Sequence, residues 1–558
     1  MKNPIRNACH LLISEDALII DALIMLEDTQ EQLLICVGEG CKLVGVLSDG
    51  DIRRSLIDGR SIKDPVNKSV RRDCVFISSQ ATFQEALELV SERIHLLPVV
   101  NHDHRVVGYY SYKQHVPARN VKTNNVTIVG MGYVGLTLAV CLSSHGYKVI
   151  GYDVSEKLVD KLNCKQSPFF EVGLQTQLDS LVGQNLIFTT SMDQAKGNIY
   201  IITVGTPIDF NNKAPRMDSI IKASEAVGGI LKKQDAVVMR STLPVGCSRK
   251  IVLPILEKVA GFKCGSDFFF AFAPERTAEG RALLELRLNP QIIGGYDAVS
   301  TEIIAQLFNT ITPSVVDIGS LEAAELCKLI DNCFRDHLFS FTNQLVPLTE
   351  KLDLNLSKIV DAVNFGYDRN NIRKPSPGVG GPCLTKDPYI LASVLQEFNL
   401  DSTLLLASRK VNESGPEHVF KKLVSLLATA GKDISSAIIS IVGIAFKGEP
   451  ETSDVRNSMS LKLLEFLKEC TNVRGYDLVM EDKLLAQLGF QPVGLEEAFD
   501  GADAVVVMNN HRSYANWNIQ KLLTLMNSPA AFIDTWNIFD PFDIKTVRGI
   551  LYGGVGND

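Results

Sequence analysis

A glycine-rich loop near residue 380 ends in a cysteine that could serve as a nucleophile. The loop, PSPGVGGPCLTKDP (375–388), places Cys383 four residues before Asp387. This spacing is about one helical turn, so a carboxylate is expected beside the thiol. Dense glycine leaves backbone N–H groups open, a shape that can wrap a diphosphate or a sugar. Taken alone, the pair more often reflects an inert buried cysteine, since a reactive thiolate prefers cationic neighbours.

Two further segments carry polar groups suited to catalysis. In CKLIDN, Lys328 and Asn332 are four residues apart and share one helix face, so they could clamp an oxyanion. A solvated lysine on an amphipathic helix is the simpler alternative. The segment FAPERTAEG (272–280) follows an apolar strand and supplies Glu275 and Glu279. Ligands bind at the carboxyl edge of parallel strands, where these side chains would lie.

A glycine fingerprint predicts a dinucleotide site. The strand VTIVG leads into Gly130-Met-Gly132-Tyr133-Val134-Gly135, which opens a helix. The first glycine permits a tight turn, the second lets the backbone approach a diphosphate, and the third lets helix and strand pack closely. Asp153 ends the next strand. A carboxylate there binds ribose hydroxyls and repels a 2′-phosphate, so NAD is favoured over NADP.

These residues sit on alternating elements. Apolar strands and helical stretches alternate from 126 to about 320, a pattern typical of a parallel sheet covered on both faces. The stretch LEAAELCKLIDNCFRDHLFSFTNQLVPLTEKL (321–352) predicts a long helical spine. A second α/β set begins at 437. The 558 residues therefore divide into four predicted domains: 1–118, 119–320, 321–415 and 416–558.

The first domain contains a weak internal repeat within residues 11–116. Each copy has a short strand, an amphipathic helix and two apolar strands. The repeat resembles a pair of CBS modules, an α+β unit that senses adenine nucleotides. The resemblance implies that Ser48 and Asp51 hold the nucleotide, whereas the second copy has Gln114 in place of the Asp. Two interpretations are open: the pair has one competent nucleotide site, or it serves only for packing.

Composition limits the partners. A net charge of -8 and a pI near 5.7 argue against nucleic acid. The 12 cysteines form neither a C-x-x-C metal pair nor a disulfide framework, so no metal is expected and a reducing compartment is indicated. No signal peptide and no membrane-spanning run of apolar residues stands out, which predicts a cytoplasmic protein without a membrane partner.

Seven motifs together resemble the UDP-glucose/GDP-mannose dehydrogenase family over 126–545. They are G-x-G-x-x-G, T-P-I-D (206–209), S-T-L-P (241–244), A-P-E-R-T-A-E-G, K-L-I-D-N, G-V-G-G-P-C and F-K-G, in the family's order. The resemblance implies two Rossmann-like doubly wound parallel-sheet domains joined by a long central helix, here preceded by the α+β CBS pair. It also implies NAD as cofactor, a UDP-sugar as substrate, and a homodimer or higher homo-oligomer.

The family further implies two successive oxidations at C6 of the sugar through a thiohemiacetal and a thioester on Cys383. The implied catalytic residues are Cys383, Lys328, Asn332, Asp387 and Glu275. The implied cofactor residues are Gly130, Gly132, Tyr133, Val134, Gly135, Asp153, Thr206, Thr242, Glu279 and Arg456. The implied substrate residues are Arg369, which the family lends across a dimer interface, with Lys374, Gly378, Gly380, Phe446 and Lys447.

Departures from the family pattern leave the sugar open. The run F-K-G-E-P-E-T-S-D-V-R is two residues longer between Lys447 and Arg456 than the common form, and Pro382 precedes the cysteine. Lys386-Asp387 fits members that act on UDP-glucose, whereas P-E-R-T-A-E-G resembles the N-acetylhexosamine branch, which is slightly favoured. The alternatives are a two-electron dehydrogenase of the 6-phosphogluconate type and a non-catalytic adenine-nucleotide sensor.

Overall fold

The computed structural model describes residues 8–29, 33–57, 59–81, 85, 96–111, 125–209, 211–468 and 473–557. The chain forms two compact units, Met1–Arg119 and Asn120–Asp558.

The N-terminal unit contains two small sheets of the same design. Its strands are β1 (Leu12–Ser14), β2 (Leu33–Val37), β3 (Leu43–Ser48), β4 (Ile77–Ser78), β5 (Leu96–Val100) and β6 (Val106–Ser111), and its described helices are α1 (Ile19–Thr29) and α2 (Asp49–Ile57). In each sheet the first strand pairs in parallel with the second, and the second pairs antiparallel with the third. The repeat in the sequence is thus a repeat in the structure. Gln114 and the helix expected in the second copy lie outside the described residues.

The larger unit begins with an eight-stranded sheet in the order β14-β13-β12-β11-β10-β7-β8-β9. Its strands are β7 (Asn125–Val129), β8 (Lys148–Tyr152), β9 (Leu186–Thr189), β10 (Ile199–Ile202), β11 (Ala236–Met239), β12 (Phe269–Phe272), β13 (Gln291–Gly295) and β14 (Val315–Asp317). Its helices are α3 (Tyr133–Ser144), α4 (Glu156–Asn163), α5 (Leu174–Leu181), α6 (Asp218–Ile230), α7 (Leu253–Ala260), α8 (Ala282–Leu288) and α9 (Ala298–Phe308).

The strand sequences explain this sheet. β10, β11 and β12 are wholly apolar apart from one tyrosine, and every residue in them is buried, as expected where helices cover both faces. All pairs are parallel except β12 with β13, which run antiparallel. Successive strands are added on one side of β7 up to β9 and then on its other side from β10 onward. Such a switch point between β7 and β10 opens a crevice for a ligand.

The central region is helical, as predicted, but the long helix is shorter than its apolar pattern suggests. Its helices are α10 (Leu321–Asn343), α11 (Val346–Lys351), α12 (Leu356–Asn364), α13 (Asp387–Glu397), α14 (Thr403–Glu413) and α15 (Gly415–Thr429). Ser320 caps the start of α10 by accepting from the Ala323 N–H at 3.2 Å. The helix ends at Asn343 because Pro347, four residues on, lacks the N–H that would bond to the Asn343 carbonyl and its ring would clash there.

The C-terminal sheet has six parallel strands in the order β17-β16-β15-β18-β19-β20. These are β15 (Ile439–Val442), β16 (Val473–Tyr476), β17 (Gln491–Pro492), β18 (Ala504–Val507), β19 (Ala530–Asp534) and β20 (Ile550–Gly554). The helices are α16 (Met459–Phe466), α17 (Asp482–Gln487), α18 (Leu495–Phe499), α19 (Ile519–Leu523) and α20 (Pro541–Lys545). The switch point lies between β15 and β18, so the loop after β15 faces a second crevice.

Two kinds of feature are absent from the described residues. No helix among them combines the length and the apolar character needed to cross a membrane. In the same part of the chain, no three His, Cys, Asp or Glu side chains are grouped so that they could hold a metal ion.

Candidate active site

The glycine fingerprint forms the turn between β7 and α3. Gly130 has φ +100°, which favours glycine, and a Cβ on Gly135 would lie 1.9 Å from the Gly130 carbonyl oxygen. No atom lies within 4 Å of where a Cβ of Gly132 would be, so the backbone is open there. Gly132 is also the N-cap of α3, and no side chain caps that helix. The free N–H groups and the open backbone fit the diphosphate of NAD.

Asp153 holds this turn from the end of β8. Its carboxylate accepts the Met131 N–H at 2.7 Å and the Ser155 N–H at 2.9 Å. A carboxylate has about four acceptor positions, so capacity remains for ribose hydroxyls. Thr206 and Thr242 come together after β10 and β11, where the Thr206 hydroxyl donates to the Thr242 carbonyl at 2.7 Å. The structure thus brings these predicted cofactor residues to one edge of the sheet.

Tyr133 ties the fingerprint to the A-E-G turn that follows β12. Its hydroxyl donates to the Glu171 carboxylate through a short hydrogen bond and accepts the Gly280 N–H at 2.9 Å. Glu171 also accepts the Gly280 N–H at 2.8 Å. Burial raises the pKa of Tyr133, and the hydrogen bond to Glu171 raises it further, so the hydroxyl stays protonated. Val134 adjoins Tyr133 in the first turn of α3 and is partly buried.

Cys383 opens onto a cavity of about 430 Å³. The walls come from the turn after β12, from α10, from the glycine loop and from the loops after β15, β18 and β19. Its predicted lining residues are Lys328, Asn332, Glu279, Gly378, Gly380, Cys383, Phe446 and Lys447. A concave site of this volume suits a small molecule. Glu275 and Asp387 are buried behind this surface and do not line it.

The glycine loop is fixed tightly against its neighbours. Gly378 has φ +104°, and a Cβ there would lie 2.2 Å from the Asn412 carbonyl oxygen. A Cβ on Gly380 would lie 2.6 Å from the Asn457 carbonyl oxygen. These close backbone approaches require glycine at both positions. The density of glycine therefore reflects packing of the loop as well as space for a ligand.

A fully buried arginine supports the loop from below. Arg409, on α14, donates to the Asp336 carboxylate of α10 at 2.5 Å and lies 3.4 Å from the Val379 carbonyl oxygen. Asn412 donates to the same carboxylate at 2.9 Å. Because these groups are buried, loss of one partner would leave an unpaired charge. The network joins the loop that carries Cys383 to the long helix that carries Lys328.

Lys328 forms a buried ion pair with Glu275. Its Nζ lies 3.2 Å from Glu275 Oε2 and 2.5 Å from the Glu275 carbonyl oxygen, and the two side chains are 6% and 11% exposed. Burial opposes the charge on Lys328, but Glu275 and Cys383 outweigh it and raise the lysine pKa. Burial would also raise the pKa of Glu275, yet Lys328 and the Thr277 hydrogen bonds hold it low. Both groups are therefore charged at neutral pH.

Asn332 and Asp387 are in direct contact. The side-chain amide nitrogen of Asn332 donates to Asp387 Oδ2 through a short hydrogen bond. Arg335 donates to the side-chain oxygen of Asn332 through another. Lys386 Nζ lies 2.5 Å from Asp387 Oδ1. Lys328 and Asn332, expected as a free oxyanion clamp, are thus each held by an acidic residue in this structure.

The Cys383 thiol occupies the junction of these groups. Burial raises its pKa above the ordinary value of 9.0, Lys328 and Lys386 lower it, and Asp387 and Glu275 raise it. Asp387 follows one turn later, and its N–H bonds to the Cys383 carbonyl at 3.0 Å. The thiol is therefore protonated at neutral pH, and Lys328 is the principal cation that favours its thiolate.

Arg456 reaches the cofactor side from the C-terminal sheet despite the longer F-K-G run. Its Nη2 lies 3.2 Å from Glu279 Oε1, and it also pairs with Asp454. Lys447 donates to the Glu279 carbonyl oxygen at 2.7 Å. Burial and the neighbouring Asp454 raise the pKa of Glu279 to about 8, although Arg456 and Lys447 oppose this.

Two predicted substrate residues lie apart from the cavity. Lys374 is exposed and its Nζ pairs with Asp361 at 2.8 Å. Arg369 is exposed and lies over the Tyr367 ring, 5.9 Å from its centroid. The neighbour Arg373 lines the cavity instead of Lys374.

The structure adds residues that sequence reasoning missed. Arg335, Phe339, Arg373, Asn510 and Trp536 line the cavity, and Glu171 holds Tyr133. Arg335 lies seven residues after Lys328, two helical turns on the same face, and this periodicity could have identified it. The spacing of Glu171 and Trp536 from the motifs carries no comparable signal.

Ser48 and Asp51 lie where β3 meets α2 in the N-terminal unit. The Ser48 hydroxyl donates to Asp51 Oδ2 at 2.6 Å, and Arg54 donates to Asp51 Oδ1 at 2.6 Å. Burial opposes the charge on Asp51, but the Ser48 and Arg54 bonds lower its pKa overall. The two predicted residues are therefore adjacent, and each already has a partner within the unit.

Comparison with protein families finds four matched regions. Three belong to the UDP-glucose/GDP-mannose dehydrogenase family: its NAD binding domain matches residues 124–312, its central domain 322–414, and its UDP binding domain 440–541. A CBS domain matches residues 66–114.

Individual relatives and a solved structure agree with these matches. The chain is 30% identical over 434 residues to a UDP-N-acetyl-D-mannosamine dehydrogenase of Pyrococcus horikoshii, covering 77% of this chain and 99% of that protein. It is 31% identical to the enzyme of the same name from Campylobacter jejuni, covering 72% and 98%. The structure of the P. horikoshii UDP-D-ManNAc dehydrogenase superposes with a TM-score of 0.69 at 29% identity, covering 77% of this chain and 99% of that one.

Proposed function

Because the chain belongs to the UDP-glucose/GDP-mannose dehydrogenase family, whose members are NAD-dependent oxidoreductases acting on nucleotide sugars, we propose that it converts the C6 alcohol of a UDP-sugar to a carboxylate. The conversion removes four electrons and passes through a covalent thioester on Cys383. A UDP-N-acetylhexosamine is the favoured substrate.

One observation carries this proposal. Cys383 opens onto a cavity whose walls include Glu279 from the cofactor domain and Lys447 from the UDP-binding domain. Lys328 and Asn332 line the same cavity, and both contact buried carboxylates. A nucleophile, a cation and an amide therefore meet where the two domains meet, as an oxidation of a nucleotide-linked sugar requires.

The turn Gly130–Gly135 and Asp153 would hold NAD, which would supply the hydride acceptor for the sugar carbon. The C6 hydroxyl gives up its proton to water, the Lys328 ammonium stabilises the resulting alkoxide, and departure of hydride from C6 then leaves an aldehyde. The Cys383 sulfur then adds to the aldehyde, the new C–S bond holds the carbon, and the thiol proton passes to the alkoxide oxygen. This capture prevents release of a reactive aldehyde and divides the oxidation into two hydride transfers.

The thiohemiacetal on Cys383 then loses its hydroxyl proton to water and its second C6 hydride to a second NAD, which leaves a thioester. Water attacks its carbonyl carbon, the C–S bond breaks, and the thiolate departs. In our proposal Asp387 orients or activates this water, and Asn332 and Lys328 steady the oxyanion. Glu275, which is paired with Lys328, assists the same step by keeping the lysine charged and in place.

The preference for an N-acetylhexosamine rests on two similarities. The relatives from P. horikoshii and C. jejuni are both named UDP-N-acetyl-D-mannosamine dehydrogenase. The segment P-E-R-T-A-E-G also resembles that branch of the family. We assign substrate contacts to Phe446 and Lys447 and to the loop with Lys374, Gly378 and Gly380, whereas Arg369 is proposed to act across the dimer interface.

A substrate panel tests the proposal. Purified full-length chain is incubated with NAD and UDP-GlcNAc, UDP-ManNAc, UDP-GalNAc, UDP-glucose or GDP-mannose, and NADH formation and product mass are followed. We expect an acid product from a UDP-N-acetylhexosamine. Cys383→Ala should form no acid, whereas Cys164→Ala, at an exposed cysteine, should behave as wild type. Near-normal acid formation by Cys383→Ala would refute the covalent route.

The alternatives predict different outcomes. A two-electron dehydrogenase of the 6-phosphogluconate type accounts for the fingerprint and for Lys328 and Asn332, but it leaves Cys383 without a role. A non-catalytic adenine-nucleotide sensor would form no NADH with any sugar nucleotide.

We propose a homodimer that forms through the central helices. Large apolar side chains are exposed there, among them Ile330 (53%), Phe334 (58%) and Phe365 (90%). Exposed apolar surface of this kind marks an interaction site. Light scattering of wild type and Phe334→Asp tests this: the wild type should have the mass of a dimer and the variant should dissociate.

For the N-terminal unit we propose an adenine nucleotide site at Ser48 and Asp51 that modulates activity or assembly. The CBS match covers residues 66–114, the second copy of the repeat, and the sheet of the first copy, which carries Ser48, has the same strand pairing. This similarity and the adjacency of the Ser48 and Asp51 side chains support the proposal. Calorimetry with AMP, ADP and ATP on full-length wild type and Asp51→Asn separates this site from the NAD site. Identical heats of nucleotide binding for wild type and Asp51→Asn would mean that the N-terminal unit serves only for packing. We also propose that the chain divides into four domains, with the bounds 1–118, 119–320, 321–415 and 416–558.

A further inference from the structure

Arg335 lies beside the catalytic groups, and no role was assigned to it from the sequence. It is on α10, one turn after Asn332, and it lines the cavity onto which Cys383 opens. Its Nη2 donates to the side-chain amide oxygen of Asn332, and its Nη1 lies 3.5 Å from Asp331 Oδ2. One nitrogen of the guanidinium thus pairs with Asp331, and another donates a hydrogen bond to Asn332.

The contacts of Asn332 determine which way its amide points. The amide nitrogen donates to Asp387, and the amide oxygen accepts from Arg335. A carboxylate can only accept and a guanidinium can only donate, so the opposite orientation would place oxygen against oxygen and N–H against N–H. Since Asn332 is buried, such a mismatch would leave both ends of its amide without a hydrogen-bond partner in the protein, which is costly.

This orientation matters for the chemistry. The amide nitrogen carries two hydrogens, and Asp387 takes one, which leaves the other for an oxygen of substrate or water in the cavity. If the amide turned over, its carbonyl oxygen would instead repel the Asp387 carboxylate and the oxyanion that forms beside Cys383. The other oxygen of the Asp387 carboxylate, Oδ1, lies 2.5 Å from Lys386 Nζ. In the row Lys386–Asp387–Asn332–Arg335, every contact therefore pairs a donor with an acceptor.

We propose that Arg335 is a positioning residue that keeps the Asn332 amide nitrogen facing Asp387 and the Cys383 cavity. The inference rests on the proposed function, because the group that it positions serves the proposed oxyanion. Arg335 acts through Asn332 and does not touch the reacting atoms.

A double-mutant cycle on the full-length enzyme tests this. Arg335→Met should lower kcat by roughly tenfold to a hundredfold, the loss expected for a hydrogen bond to a charged group, with KM for the UDP-sugar changed by less than about threefold. Arg335→Lys keeps a donor and should recover part of the rate. In an Asn332→Ala background, Arg335→Met should cause almost no further loss, because its target is gone.

Arg373→Met is the matched comparison. It removes the same charge from the same cavity, but in the described part of the chain its guanidinium has no hydrogen bond with Asn332, so its effect should be the same in both backgrounds. Equal losses from Arg335→Met with and without Asn332, or a loss confined to KM, would overturn the proposal and make Arg335 a direct substrate ligand. Absence of uronate formation by the wild type with every UDP-sugar would instead refute the proposed function.

Discussion

The Lys328 ammonium lies 3.2 Å from the Glu275 carboxylate and joins the central helix to the strand edge of the cofactor domain. Both side chains are nearly inaccessible to solvent, so neither charge has water as an alternative partner. We predict that Lys328→Met lowers the free energy of unfolding by about 3–5 kcal/mol, because it strands the Glu275 charge. The double variant with Glu275→Met should recover much of this loss. Thermal unfolding measures both; equal destabilisation of the single and double variants would contradict the account.

The same pair predicts a pH dependence. The pKa of Glu275 is lowered in the folded chain, so its contribution is present above its ordinary value of 4.5 and is lost as pH falls through the folded pKa. The pKa of Lys328 is raised, so its contribution is present below 10.5 and is lost as pH rises through the folded pKa. The stability difference between wild type and the double variant Lys328→Met/Glu275→Met should therefore be flat across neutral pH. A steep change there would show that one partner titrates in that range.

Cys383 should react slowly with alkylating agents at neutral pH. Burial raises its pKa above 9.0, and Lys328 partly offsets this effect. Iodoacetamide labelling of Cys383, followed by peptide mass spectrometry, should accelerate with pH and remain below its maximum at pH 9. Lys328→Met should slow the labelling further. Faster labelling in that variant would indicate that access, and not thiolate formation, limits the reaction.

Glu279 should make the fold less stable as pH rises. Burial and Asp454 raise its pKa to about 8, so between its ordinary value of 4.5 and 8 the folded chain retains a proton that the unfolded chain releases. We predict that Glu279→Gln stabilises the protein relative to wild type by about 3 kcal/mol more at about pH 8 than at about pH 5. Glu156→Gln, at an exposed glutamate, should show no such trend.

The glycine loop should tolerate no side chain at Gly378. A Cβ there would lie 2.2 Å from the Asn412 carbonyl oxygen, in addition to the strain of φ +104°. We predict that Gly378→Ala destabilises the protein by several kcal/mol and abolishes activity, since the loop must move. Gly431→Ala is the control: its φ is +72°, but nothing lies within 4 Å of the added Cβ. Its cost should be about 1 kcal/mol, with activity retained.

Much of this site could be predicted from local pattern. The fingerprint, the acid after the next strand and the Lys328–Asn332 spacing each follow from the geometry of one helix or one strand end. Arg456 and Glu279 were each assigned to the cofactor site by the family resemblance, and their side chains are in contact although two extra residues precede Arg456.

Other features depend on how distant elements pack. The sequence cannot tell that Arg373, and not Lys374, faces the cavity, because adjacent residues in an irregular loop have no fixed period. Glu171 holds Tyr133 from 38 positions away. Asn332 looked like a free amide beside Lys328, whereas tertiary packing places Asp387 and Arg335 at its two ends.

The number of NADH molecules formed per molecule of UDP-sugar tests the central claim most directly. A limiting amount of the accepted UDP-N-acetylhexosamine is consumed to completion with excess NAD, and NADH is read by absorbance. Covalent capture on Cys383 predicts two NADH per sugar and a carboxylate product, with no free aldehyde trapped by hydroxylamine. One NADH per sugar, with an aldehyde or ketone as product, would contradict the account.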